Sequence, residues 1–227
     1  RVMFPRKRTR PLKKSIADAL ARKGYDVLTP VQMAVSRAEL AGRDLLVSAQ
    51  TGSGKTIGFG LAIAPTLLGE GDAFGPAGAP LALIIAPTRE LAMQVKRELG
   101  WLYADAGAVL ASCVGGMDMR DERRALARGA HIVVATPGRL RDHIMRGSID
   151  LGSVRAVVLD EADEMLDLGF REDLESSTRR RRSARRCCFR PRCPMPSPSW
   201  RKAISAMRSG SRPWASRSSM RISNTAP

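Results

Sequence analysis

The chain has 227 residues, 44% of them hydrophobic and 4% aromatic, with 38 Lys+Arg against 22 Asp+Glu and a net charge of +16. That supplies apolar residues for one packed domain plus a tail. The absence of any eighteen-residue apolar run excludes a transmembrane helix, no apolar stretch follows the basic N-terminus as a secretory signal requires, and four cysteines are too few for a disulfide framework, so the expected location is the reducing cytoplasm.

Along the chain, a helix is expected over about 12–23, ahead of Gly24. Short apolar runs follow at Leu45–Val47, Leu81–Ala86, Val109–Val114, His131–Ala135 and Val154–Leu159. Each is bounded by turn or charged residues and predicts a buried strand. Between them, helical periodicity runs over about 55–68, 89–103, 118–128 and 138–146, while 69–80, rich in Gly, Ala and Pro, predicts a surface loop. Strand and helix in alternation predict an α/β fold with a parallel sheet flanked by helices. Its functional loops lie at the carboxyl ends of the strands.

Charge divides the chain into three. Residues 176–227 carry 14 basic residues, 12 Ser, 6 Pro and no Asp or Glu; residues 1–14 carry seven basic residues. The expected organisation is a basic arm at 1–11, a globular domain at 12–175 and a disordered basic tail at 176–227.

The strongest local signal is Ala49-Gln50-Thr51-Gly52-Ser53-Gly54-Lys55-Thr56, which follows a strand and opens a helix. That context suits a phosphate-binding loop: backbone N–H groups face phosphate oxygens at a helix N-terminus. Lys55 would reach the β/γ-phosphates of ATP, and Thr56 would hold Mg²⁺. Ala49 stands where the strict pattern has Gly. The second signal is Asp160-Glu161-Ala162-Asp163 after the strand Val154–Leu159. Asp160 at a strand end is placed to hold Mg²⁺, and Glu161 to activate the attacking water. Alone, such a tetrapeptide also fits a solvated helix start.

Taken with further motifs, these make the chain resemble the DEAD-box ATP-dependent RNA helicases, most like bacterial DeaD-type members, over about residues 12–175. Gly24-Tyr25 through Thr29-Pro30-Val31-Gln32 resembles the Q motif, which implies that Gln32 reads adenine. Pro87-Thr88-Arg89-Glu90-Leu91-Ala92-Met93-Gln94 resembles motif Ia, Gly115-Gly116 the GG motif, and Thr136-Pro137-Gly138-Arg139-Leu140 motif Ib. The resemblance implies a RecA-like P-loop domain. It also implies catalytic roles for Lys55, Asp160 and Glu161, and RNA contacts through the sugar-phosphate backbone with little sequence specificity. Each RNA motif has a plain structural reading as well: Thr88 as a helix N-cap, Gly115-Gly116 as a turn, Pro137 at a first helical position. Leu28 replaces the usual Pro of the Q motif, and Phe4 is the one upstream aromatic near it.

After Glu175 the family pattern stops. An apolar helix, a strand ending in Ser-Ala-Thr (motif III) and a second RecA-like domain are expected there and are not readable. The domain is therefore expected to be incomplete and, as a single monomeric chain, inactive in unwinding. Arg, Ser, Pro, Cys and Trp are what GC-rich codons give out of frame, so 176–227 reads as a shifted frame. Taking each codon's third base with the next two, the junctions from Arg186 to Cys193 permit Leu-Leu-Leu-Ser-Ala-Thr-Leu, 29 positions beyond Asp160. Two alternatives stand beside this: a non-enzymatic basic nucleic-acid-binding fragment, whose tail binds RNA non-specifically, and a non-functional truncated gene product. Adjacent Cys187 and Cys188, with Cys193 and no nearby His, argue against zinc. His131 and His143 are expected to be structural or exposed.

Overall fold

The computed structural model describes residues 11–40, 45–48, 52–161, 165, 185–190 and 220–223. The elements are α1 (Lys14–Arg22), α2 (Pro30–Val35), a 3₁₀ turn at Ala38–Leu40, β1 (Leu45–Ser48), α3 (Lys55–Leu68), β2 (Ala82–Ile85), α4 (Arg89–Leu102), β3 (Leu110–Cys113), α5 (Met119–Ala127), β4 (Ile132–Ala135), α6 (Pro137–Met145), β5 (Ala156–Leu159), β6 (Arg185–Arg190) and β7 (Met220–Ser223). The strands form one sheet in the order β3-β4-β2-β5-β6-β1-β7, every neighbouring pair parallel. Ala82 is opposite Ile132 on one side and Ala156 on the other.

The strand sequences explain the layering. ALII, IVVA and AVVL are apolar at every position, as a sheet covered on both faces requires. Alternate residues face opposite ways. Leu45, Val47, Ala82, Ile84, Ile132, Val134, Ala156 and Val158 pack with residues of α1 to α4. Leu83, Ile85, Val133, Ala135, Val157 and Leu159 pack instead with Leu140 and Ile144 of α6 and Leu126 of α5. On the first face α3 and α4 approach closely at Gly60. A Cβ there would lie 2.6 Å from Leu102 Cδ2, and the Tyr103 hydroxyl donates to the Gly60 carbonyl at 2.7 Å. No helix among the described residues is long and apolar enough to cross a membrane.

The 69–80 segment is a loop, as its composition predicts, and it is fastened at several points. Phe74 N–H donates to Ala106 O at 2.8 Å, and Ala130 N–H to Gly78 O at 3.0 Å. The His131 ring stacks on Phe74 at 4.5 Å. Its Nδ1 accepts from Val109 N–H at 2.9 Å, which makes Nε2 the donor to Gly75 O at 3.0 Å.

Two expectations are corrected. The strand between the phosphate-loop strand and the Asp160 strand is not missing: Arg185–Arg190 fills that place, with Cys187 opposite Leu45 of β1 and Val158 of β5. Residues 176–227 are not without order throughout, since β6 and β7 both join the sheet. The physical reason is that a ladder is made by backbone N–H and C=O groups, which β1 and β5 must pair whatever side chains the intervening segment carries.

Candidate nucleotide and nucleic-acid sites

Because all strands are parallel, their carboxyl ends share one edge of the sheet. The segments picked out by sequence follow those ends in spatial order: 114–117 after β3, 136–139 after β4, 87–89 after β2, Asp160 after β5, and 52–56 following β1 in the chain. The RNA-type motifs are therefore contiguous, and the phosphate-loop and acidic motifs lie along the same edge.

Gly52 and Gly54 have φ of +79°, a conformation that glycine adopts without a Cβ penalty. Gly54 caps α3, whose first residue is Lys55. Lys55 is buried, and its Nζ lies 3.9 Å from Glu161 Oε1, within ion-pair range but too far for a hydrogen bond. Ser53 Oγ, Lys55 Nζ and Asp160 Oδ1 are buried with no hydrogen-bond partner among the described residues. Burial pushes the Asp160 carboxyl up to about 7; the Lys55 charge opposes that rise and Glu161 adds to it. Glu161 has φ +50°, the one non-glycine residue with positive φ among those described, a conformation that costs about 1–3 kcal/mol. Three polar atoms without hydrogen-bond partners among the described residues and a backbone held off its preferred conformation lie at the carboxyl end of the sheet, an arrangement a polyanion and a cation could satisfy. A triphosphate would satisfy Lys55 and Ser53. A hydrated Mg²⁺, which takes one or two carboxylates plus phosphate oxygens, would satisfy Asp160. Thr56 is half-buried in the first turn of α3. Ala49, Gln50 and Thr51, and also Phe4 and Asp163, lie outside the described residues.

Gln32 is fully buried and already engaged. Thr29 and Gln32 form a capping box at the start of α2. Gln32 Oε1 accepts from Thr29 N–H at 2.9 Å, and its Nε2 donates to the Gly54 carbonyl at 3.3 Å. Thr29 Oγ1 donates to Ser53 O at 3.0 Å. In this structure, then, both ends of the Gln32 amide are engaged within the protein, at Thr29 and at Gly54. A Cβ on Gly54 would stand 2.4 Å from Gln32 Nε2. Tyr25 stacks on Trp101 at 5.7 Å, away from this amide.

The three RNA-type motifs form one bonded unit. Thr88 caps α4, accepting from Leu91 N–H at 3.2 Å. Pro87 is buried while Thr88 and Arg89 are exposed. Arg89 Nη1 donates to Gly116 O at 3.1 Å, and Arg139 Nη2 to Met117 O at 3.1 Å. Gly116 has φ +75°, and a Cβ there would meet Arg89 Nη1 at 2.7 Å, so glycine is required by both conformation and space. Gly115 is exposed with nothing near its Cβ position. Pro137 is the first residue of α6, preceded by Thr136 without a side-chain capping bond, and Gly138 is half-buried.

Sequence reasoning missed Glu122 and its pairing with His143, which fills the structural role expected of that histidine. His143 is fully buried and Glu122 nearly so, 2.8 Å apart through Nε2 and Oε2. Nothing marks Glu122 in the run Arg120-Asp121-Glu122-Arg123-Arg124; only its place on the inward face of α5 separates it from its solvated neighbours. Cys113 on β3 is buried, and burial first, with the Glu122 charge second, pushes its thiol up to about 12, so it is inert as a nucleophile.

Residues 29–194 match the family of DEAD/DEAH box helicases. The chain is 43% identical over 165 residues to the DEAD-box ATP-dependent RNA helicase CshA of Bacillus licheniformis, a match covering 73% of the chain and 33% of the relative. It is 43% identical over 162 residues to DEAD-box ATP-dependent RNA helicase 9 of Oryza sativa, covering 71% and 25%. The chain thus spans a quarter to a third of the length of these curated relatives. Among solved structures it is similar to a DEAD box protein of the hyperthermophile Methanococcus jannaschii, with TM-score 0.76, 30% identity, and coverage of 95% of this chain and 55% of that one. It is also similar to a hypothetical ATP-dependent RNA helicase of Sulfolobus tokodaii, with TM-score 0.77, 27% identity, and coverage of 93% and 57%. The geometry, the order of motifs and these matches agree, and the chain belongs to the DEAD/DEAH box helicase family as a DEAD-box member.

Proposed function

We propose that this chain binds ATP with Mg²⁺ in the cleft between Lys55 and Asp160 and binds RNA by its backbone across the 87–89, 114–117 and 136–139 segments. We further propose that the protein to which the domain belongs is an ATP-dependent RNA helicase. The observation that carries the reading is that Ser53 Oγ, Lys55 Nζ and Asp160 Oδ1 are buried without a hydrogen-bond partner among the described residues. A buried ammonium and a buried carboxyl oxygen without hydrogen bonds destabilise a fold unless a ligand uses them.

In this reading Lys55 neutralises the β/γ-phosphates, Thr56 and Asp160 hold the metal, and the loop motif from Ala49 to Gly54 binds the phosphates. A divalent cation held by Thr56 and Asp160 would supply charge neutralisation at the phosphates. Glu161, beside Lys55 and in a constrained backbone conformation, takes the proton of the attacking water. Gln32 ties the base end of the nucleotide to Gly54. We also assign 12–175, with the sheet strands 185–190 and 220–223, to the nucleotide-binding domain, the 1–11 arm and the basic residues of the tail outside those strands to loose, salt-sensitive RNA contacts, and the protein to the cytoplasm as a monomer. We read the tail itself as an out-of-frame segment. The β6 place between β5 and β1 coincides with the codons that permit Leu-Leu-Leu-Ser-Ala-Thr.

Lys55→Ala tests the nucleotide reading. Binding of a fluorescent ATP analogue in the presence of Mg²⁺ is expected to fall at least a hundredfold, the loss of a charge-assisted contact in a buried site. The helix content stays unchanged. Equal affinity in wild type and variant removes the nucleotide reading.

A further inference from the structure

We propose that Glu122 is a positioning residue for RNA binding: its buried carboxylate holds the 114–117 loop and the Arg139 guanidinium in the arrangement that Arg89 completes. The inference deepens the RNA reading above and rests on it.

Glu122 sits in the first turn of α5, between the exposed Asp121 and Arg123. It is 5% exposed. Oε1 accepts from the Val114 N–H at 2.8 Å, the amide that opens the loop after β3. Oε2 accepts from His143 Nε2–H at 2.8 Å and lies 3.7 Å from Arg139 Nη1. His143 is fixed from its other side, Nδ1 lying 2.8 Å from Ser148 Oγ. One carboxylate therefore joins the 114–117 loop, α5 and two residues of α6.

Arg89, Gly116 and Met117 are exposed, while the Arg139 side chain is 15% exposed. Arg139 spans from Glu122 to the Met117 carbonyl, and Arg89 reaches the neighbouring Gly116 carbonyl. Both carbonyls of the Gly116-Met117 step are thus held by guanidinium groups from two different segments. Those two groups are the natural partners of successive phosphates on an extended strand. Their separation is fixed before any ligand arrives, which spares the ordering cost that binding would otherwise carry.

A neutral amide at position 122 would also accept the Val114 hydrogen bond. The charge is what a purely architectural role leaves unexplained, because burying a carboxylate is costly unless a cation repays it. Arg139, a predicted RNA contact, is the cation that faces it. Leu126, Leu140 and Ile144 pack beside the core on this face without using the carboxylate.

The test is hydrogen–deuterium exchange on the full chain with and without a single-stranded oligouridylate. In wild type, the RNA slows exchange at 114–118 and 137–141. In Glu122→Ala, the 114–118 amides exchange at least tenfold faster without RNA, RNA protection of both segments is lost, and exchange at 52–58 is unchanged. Glu122→Gln restores slow exchange at Val114 while RNA protection at 137–141 stays at least threefold below wild type, a split that a scaffold role would not produce. Wild-type RNA protection in a folded Glu122→Ala overturns the proposal. If Glu122→Ala does not fold, Glu122→Gln decides alone: full RNA protection at 137–141 overturns the proposal, and its reduction supports it. If RNA protects neither segment in wild type, the RNA reading of these motifs falls, and this inference with it.

Discussion

Asp160→Asn raises the melting temperature of the nucleotide-free protein at pH 8 and removes the Mg²⁺ dependence of nucleotide binding. Burial raises the Asp160 carboxyl from its ordinary value of 3.8 to about 7. The folded state therefore holds a proton that the unfolded chain has already released between those two values. The stability this brings is complete below about pH 4, falls as pH rises through 7, and is gone above it. At pH 8 the folded protein carries an ionised carboxylate at a cost of about 4 kcal/mol. The neutral amide escapes most of that cost, so a gain of about 1–3 kcal/mol is expected, or several degrees in a chain of this length. At pH 4 wild type and variant melt together. Scanning calorimetry at the two pH values, with a Mg²⁺ titration of bound ATP analogue, checks both halves. A variant that melts lower at pH 8 contradicts the buried-carboxylate account.

Gly129→Ala unfolds the domain or lowers its stability by about 3–5 kcal/mol. Gly129 follows α5 with φ +92°. A Cβ there would stand 2.6 Å from Ala77 O, 2.7 Å from Ala77 C and 2.9 Å from Gly78 N. All three are backbone atoms of a loop fastened by Phe74, His131 and Ala130, so no side-chain rotation relieves the clash. Gly78→Ala on the other side of the same contact is the control: nothing lies within 4 Å of its Cβ position, and its φ is not positive. Chemical denaturation of the two variants is expected to separate them widely. Similar midpoints would mean that the loop yields.

What the sequence revealed and what it hid follow from the range of the interactions. The five strands and four helices predicted between 45 and 159 are present within a few residues at each end, because their apolar runs and caps are local. The phosphate loop and Asp160 were readable because each sits at a strand end where fold topology leaves few choices. Helix α2 was not expected, although Thr29-Pro30-Val31-Gln32 carries an N-cap, a first-position proline and a capping-box glutamine. Glu122 and His143 were beyond reach, since their pairing depends on how α5 and α6 meet across 21 residues of sequence. Strand β6 was hidden for the opposite reason. A central parallel strand is expected to be apolar on both faces, and Arg185-Arg186-Cys187-Cys188-Phe189-Arg190 is not.

The strand order also dictates a timetable for synthesis. Among the described residues β1 is bonded in the sheet to β6 and β7 alone, although it emerges from the ribosome before the other described strands. β2 to β5 pair among themselves and can zip up as a block as soon as residue 159 has cleared the exit tunnel. The phosphate-loop strand must wait, unpaired, until residues 185–190 and then 220–223 arrive. Its contacts are among the longest-range in the chain and so the slowest to close, and until they close it is an open edge of the kind that chaperones meet first on a nascent polypeptide.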